Sequence, residues 1–209
     1  AAFVNIGLEK AAFLHASDIV PHTECVAQTE KAQFKVADIS ELVRQGQDIM
    51  VQVIKDPLGT KGARLTTDIT VPSRYLVFMP GSQHVGVSQR IESSEERDRL
   101  KKITQQYVSD LGGYIIRTAA EGAPDNELKH DAAFLQRVWT KVLIRRQRPK
   151  TKNALLYKDL GLAFRILRDF VGSEIDRVRI DSKLTYNEIK AFTQEFVPEL
   201  EDKIEYYAG

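Results

Sequence analysis

Near residue 68 the chain changes its periodicity, and that change limits the folds open to it. Before it, the apolar runs are short and closely spaced. "AAFVNIG" and "KAAFLHAS" are parted by a turn with Gly7, "QDIMVQVIKD" alternates with Ile49, Val51 and Val53 on one face, and "ARLTTDITV" alternates again. Short strands joined by glycine turns predict a small sandwich or barrel. "ISELVRQGQ" predicts a short helix stopped at Gly46. After residue 68 strands take turns with long amphipathic segments, which predicts an α/β arrangement.

In that second part "SRYLVFMPG" reads as a strand closed by Pro80-Gly81. "SSEERDRLKKITQQYVSDLGG" reads as a helix, with Ser93 and Glu96 spaced as a capping box and Gly112-Gly113 as its stop. A second helix starts at Asp125, carries Leu128, Leu135, Val138, Trp139 and Val142 on one stripe, and ends before Pro149. A third is predicted from about Leu155 to Phe170, closed by Gly172. A strand "RVRID" and a helix from about Thr185 to Phe196 follow. The whole reads as an α+β protein.

Composition narrows the function classes. The 209 residues suffice for one or two ordinary domains, and 43% hydrophobic with 28% charged is a globular balance. No apolar run approaches the roughly 18 residues of a membrane-spanning helix. A lone cysteine, Cys25, excludes an internal disulfide framework and fits a reducing compartment. The net charge is only +1, so any grip on a polyanion has to come from local clusters.

Enzyme signatures are missing. His15, His22, His84 and His130 lack zinc-site spacing, and "GTKGARLTT" lacks the spacing of a phosphate-binding Walker loop. Asp176 and Asp181 flank a strand as metal-binding carboxylates can, and a charged strand end explains them equally well. No catalytic and no metal-ligating residue is expected from these patterns.

Other groups suit a phosphate-bearing polymer. Phe3 and Phe13 sit among small residues on neighbouring strands, either as core rings or as a platform on which bases stack. Lys55 and Lys61 bracket a "KDPLGTKG" turn, a place for two point charges against a phosphate backbone or a merely solvated turn. "TKVLIRRQRPKTK" holds six cations (Lys141, Arg145, Arg146, Arg148, Lys150 and Lys152), which the C-terminal end of a helix favours on its own account. In "GYIIRTAAEG" a buried-looking strand ends abruptly in Arg117 and Thr118, over a floor of Ala119 and Ala120. That end is either solvated or an anion pocket.

Three stretches together, "AAFVNIGLEKAAFLHASDI", "ISELVRQGQDIMVQVIKDPLGTKGARLTTDITVPSRYLVFMP" and "GYIIRTAAEG", strongly resemble the N-terminal half of the bacterial ribonuclease E/G family, continuously over essentially the whole chain. The resemblance implies the RNA-binding, 5′-monophosphate-sensing portion of a single-strand-specific endoribonuclease of RNA processing and decay. The alternative is an RNA-binding module that does not cleave. It implies a truncated oligonucleotide-binding barrel over residues 1–67, a 5′-monophosphate sensor over 68–163 and part of a ribonuclease-H-like domain over 164–209. By resemblance, Phe3, Phe13, Lys55 and Lys61 match residues that hold single-stranded RNA, and Arg117, Thr118 and Val77 match the 5′-phosphate pocket. Where the ribonuclease E pattern has two arginines, this chain has Gln89 and then Arg90, so Arg90 alone is a candidate contact.

The family also implies Mg²⁺ and Zn²⁺ for its full-length members, a homo-oligomer of at least two subunits, and a cytoplasmic location. Its catalytic aspartates and Cys-Pro-x-Cys zinc link are not found in these residues. The chain is therefore expected to be a piece cut at both ends, binding no metal and inactive alone.

Overall fold

The computed structural model describes residues 1–20, 38–148, 153–171 and 175–209. His22, Cys25, Lys150, Lys152 and Gly172 lie outside them. The chain is a mixed α/β protein that divides into two units. One contains the described parts of Ala1–Thr70 and Pro149–Leu155 with Met79–Gly81, and the other contains Val71–Phe78, Ser82–Arg148 and the described part of Leu156–Gly209.

In the first unit four strands form one sheet: β1 (Ala2–Val4), β2 (Ala12–Leu14), β3 (Gln52–Lys55) and β4 (Arg64–Thr66), in the order β1-β2-β4-β3. Alternation decides the two faces. Ala12, Leu14 and Leu65 turn inward, and Val4, Ile6, Ile39, Leu42, Val43, Ile49 and Val51 pack around them. Phe13 and Arg64 take the other face. Gly62 is required where the segment before β4 meets the one before β2, because a Cβ there would sit 2.0 Å from the Ala11 carbonyl oxygen.

Two expectations shift here. The helix in "ISELVRQGQ" is the single turn α1 (Ile39–Leu42), which ends at Val43, before Gly46. Strand β3 is interrupted by a bulge between Val53 and Lys55, so its alternation is broken and Val53 is exposed.

A second four-stranded sheet has the order β5-β6-β8-β7, from β5 (Val71–Pro72), β6 (Leu76–Pro80), β7 (Val85–Val87) and β8 (Gly112–Ile116), all of it in the second unit but for Met79 and Pro80 at the end of β6. Strands β7 and β8 run parallel, joined through helix α2 (Ser94–Gln105). Ser93 caps that helix by accepting the Glu96 N–H at 3.2 Å. The helix stops at Gln105, not at the two glycines, which belong to β8. Gly113 serves a close approach instead, because a Cβ there would meet the His84 carbonyl oxygen at 2.2 Å.

Helix α3 (Asp125–Gln147) carries the predicted stripe, with Leu128, Leu135, Val138, Trp139 and Val142 all buried. Phe78 of β6 packs 5.4 Å from Tyr114 and 6.0 Å from Trp139. Helix α4 (Leu162–Phe170) begins seven residues later than predicted. Then come β9 (Val178–Ile180), α5 (Lys183–Phe196), and an unforeseen strand β10 (Ile204–Tyr206) parallel to β9. Among the described residues no helix is long and apolar enough to cross a membrane.

Candidate functional site

On the first unit the strand register lines up one row of residues. Phe3 pairs with Phe13 across β1 and β2, Phe13 with Arg64 across β2 and β4, and Arg64 with Lys55 across β4 and β3. The bulge makes the last step, since it carries the chain past Ile54 and brings Lys55 opposite Arg64. The row therefore runs ring, ring, cation, cation.

Phe3 is 78% exposed, which takes it out of the core, and Phe13 is half-buried beside it. The two rings meet edge to face at 6.1 Å, with the His15 ring 6.1 Å beyond Phe13. Lys61 sits on the turn between β3 and β4, where Leu58 and Lys61 exchange backbone hydrogen bonds at 3.1 and 3.0 Å. Lys10 donates to the Gly59 carbonyl in the same turn. Among the described residues neither Lys55 nor Lys61 has an ion-pair partner. Sequence reasoning missed Arg64, His15 and Lys10. For Arg64 the signal was present, as the residue alternating with buried Leu65.

On the second unit the chemistry gathers beyond the carboxyl ends of the parallel strands β7 and β8, where open parallel sheets hold ligands. Arg117 follows β8 and Ser88 follows β7, and the Ser88 N–H donates to the Ile116 carbonyl at 2.9 Å. The Ser88 and Thr118 hydroxyls are 3.0 Å apart, and the Arg90 N–H reaches the Ser88 hydroxyl at 3.4 Å. Arg117, Thr118 and Ala119 are exposed over buried Ala120. Val77 is half-exposed on β6, two positions from Tyr75, whose carbonyl accepts the Arg117 N–H at 2.8 Å. Ser88 was not foreseen, because its place depends on how β7 pairs with β8.

The Arg117 guanidinium is held from one side. Its Nη1 donates to the carbonyls of Ser73 and, at 3.3 Å, Arg74. Among the described residues no carboxylate pairs with it and Nη1 is its only nitrogen bonded to protein, which leaves the Nε and Nη2 edge for another acceptor. That edge is the one that matches two oxygens of a carboxylate or phosphate.

Buried Asp131 of α3 holds the carbonyls in place. It accepts from the Ser73 hydroxyl, the Tyr75 N–H at 2.9 Å and the Leu76 N–H at 2.8 Å. Burial pushes the Asp131 carboxyl up from its ordinary range, against the pull of these bonds and of Arg168.

The far end of the loop between β8 and α3, residues 117–124, is clamped by α2. Glu96 accepts from Arg99 at 2.7 Å and from the Gly122 N–H at 2.9 Å, and Arg99 in turn donates to the Ala123 carbonyl and to Asp125. The Arg99 bond first, and then the Gly122 N–H, hold the Glu96 carboxyl at about 2. A carboxyl depressed on folding adds stability above its unfolded pKa and loses it as pH falls through the folded one. Melting temperature should therefore drop between about pH 4.5 and about pH 2, and drop less in Glu96→Gln. Parallel acid-melting curves for the two proteins would contradict the clamp.

The basic run is partly structural. Lys141 pairs with Glu195 and lies 5.4 Å from the Phe196 ring centre, and Arg145 donates to the Leu156 carbonyl at 2.9 Å. Among the described residues no group of three or more His, Cys, Asp or Glu side chains could hold a metal ion. The residues described therefore do not fit the Mg²⁺ or Zn²⁺ that the resemblance implied for full-length members.

Comparison with known proteins agrees with the resemblance. The Ribonuclease E/G family is matched over residues 70–209. The chain is 67% identical over 209 residues to ribonuclease G of Escherichia coli (strain K12), covering 100% of this chain and 42% of that protein. It is 64% identical over 208 residues to ribonuclease G of Haemophilus influenzae, again 100% of this chain and 42% of the relative. To ribonuclease E of Nostoc it is 37% identical over 195 residues, 93% of this chain and 27% of that one. It thus spans less than half the length of the curated relatives it matches. With most of its length matched by the family and all of it by two ribonucleases G, the chain belongs to the ribonuclease E/G family.

Proposed function

We propose that this chain is the RNA-holding and 5′-monophosphate-sensing portion of a single-strand-specific endoribonuclease of RNA processing and decay. The observation that carries it is the row Phe3–Phe13–Arg64–Lys55, two stacking surfaces followed by two cations on one sheet face. A single-stranded nucleotide offers the complementary pair, a flat base and a charged phosphate. Phe3, Phe13, Lys55 and Lys61 hold the strand in this reading. Arg117 and Thr118 take the terminal phosphate beside Val77, with Arg90 near the entrance. Residues 1–67 act as an oligonucleotide-binding barrel, 68–163 as the sensor and 164–209 as part of a ribonuclease-H-like domain. The whole protein works in the cytoplasm as an oligomer and cleaves with Mg²⁺, with a Zn²⁺ link between subunits.

The test is binding of 5′-hydroxyl, AU-rich single-stranded RNA, read by fluorescence anisotropy. Phe3→Ala and Phe13→Ala should each weaken it by about 1–3 kcal/mol, roughly 5- to 150-fold. Phe3 is the cleaner probe, since so exposed a ring contributes little to stability. Wild-type affinity in both variants would overturn the stacking role. A large fall in melting temperature for Phe13→Ala would assign that ring to the core, where its loss costs about 3–5 kcal/mol.

A further inference from the structure

Arg64 stands in the middle of the row, yet its guanidinium is already taken. Its Nε donates to Asp18 Oδ2 at 3.0 Å and its Nη2 to Asp18 Oδ1 at 3.2 Å, a two-pronged pairing in the geometry a phosphate would use. The arginine side chain is 44% exposed and the aspartate 17%. The neighbours on either side along the row are Phe13, a stacking surface, and Lys55, a cation without a partner among the described residues.

The turn that carries Asp18 is docked without this ion pair. The 3₁₀ turn Ala16–Asp18 is docked on β4 and the residue after it by other bonds. The Asp18 backbone carbonyl accepts the Thr66 hydroxyl at 2.9 Å and the Thr67 N–H at 2.9 Å, and the Val20 N–H donates to the Thr67 hydroxyl at 2.8 Å. None of these needs the carboxylate. Its side chain has one described charged partner, Arg64.

We propose that Arg64 is a further phosphate-binding residue of this face and that Asp18 is its built-in competitor, an anion that a phosphodiester must displace. The inference rests on the RNA-holding reading above. An isolated anion gains little from exchanging one partner of Arg64 for another. A nucleic acid strand whose bases stack on Phe3 and Phe13 delivers its phosphate to Arg64 as an intramolecular event and so wins the exchange. Asp18 thus tunes the face toward strands with bases and away from simple polyanions.

The test is a double-mutant cycle on the same 5′-hydroxyl single-stranded RNA, which leaves the terminal-phosphate site out of the measurement. Asp18→Asn should tighten binding roughly 1.5- to 5-fold, the value of an exposed ion pair no longer broken. Arg64→Ala should weaken binding several-fold and reduce the slope of log affinity against log salt by about 0.7. In Arg64→Ala the gain from Asp18→Asn should vanish. A gain of equal size with and without Arg64 would mark a long-range charge effect and overturn the proposal. So would an Arg64→Ala protein with unchanged affinity and slope. Should Arg64→Ala fail to fold, Arg64→Gln serves in its place, since it keeps the length and removes the charge, with the same weaker binding, reduced slope and loss of the Asp18→Asn gain expected. If Phe3→Ala weakens binding while Arg64 variants do not, only the Arg64 role falls. If neither matters, the RNA-holding reading of the face falls with it.

Discussion

Asp131→Ala should destabilise the candidate phosphate site strongly, by about 3–5 kcal/mol. It would leave three buried donors without their acceptor: the Ser73 hydroxyl and the N–H groups of Tyr75 and Leu76. For a chain of this length such a loss corresponds to roughly 6–20 °C in melting temperature. Asp131→Asn separates hydrogen bonding from charge. The amide keeps one oxygen for the two backbone donors and can donate to the Ser73 hydroxyl, so its cost should be far smaller. Burial has already raised this carboxyl, so part of what the charge contributes is offset by desolvation. Thermal melting of both variants at neutral pH decides it. Equal melting temperatures for Asp131→Ala and wild type would mean that Asp131 does not organise the Ser73–Leu76 segment. The alanine variant should also bind a 5′-monophosphate less selectively, because the Ser73 and Arg74 carbonyls that steady Arg117 would lose their support.

The elements that follow a local period were legible in the sequence, and those that depend on pairing were not. The buried stripe of α3 is written in 3.6-residue spacing and needs no partner to be seen. The row Phe3–Phe13–Arg64–Lys55 is different. It requires β2 to pair in parallel with a strand some fifty residues later, and it requires a bulge that no residue type announces. Gly112 and Gly113 misled for a physical reason. Glycine after an amphipathic helix usually ends it, but here Gly113 allows backbone to approach the His84 carbonyl, and the helix has ended seven residues before Gly112. At the candidate phosphate site Arg117 and Thr118 were readable as polar residues at a strand end. Ser88 and Asp131 were not, since each acts through an element distant in sequence.

Arg117 carries the central claim, that this end of the molecule reads a terminal phosphate. With Nη1 occupied by backbone carbonyls, the Nε and Nη2 edge is left to meet two phosphate oxygens. Arg117→Lys should therefore behave nearly as Arg117→Ala does, because lysine keeps the charge and loses both the tether and the fork. A hydrogen bond to a charged group is worth about 1.5–3 kcal/mol, so each substitution should cost roughly 10- to 100-fold in affinity for 5′-monophosphorylated RNA. RNA with a 5′-hydroxyl lacks the phosphate and should be almost unaffected. General attraction to the backbone would weaken both RNAs alike. The deciding measurement is the ratio of affinities for 5′-monophosphate and 5′-hydroxyl forms of one single-stranded RNA, in wild type and in Arg117→Ala. That ratio should fall toward one in the variant, and a ratio equal to that of the wild type would contradict the sensing role of Arg117.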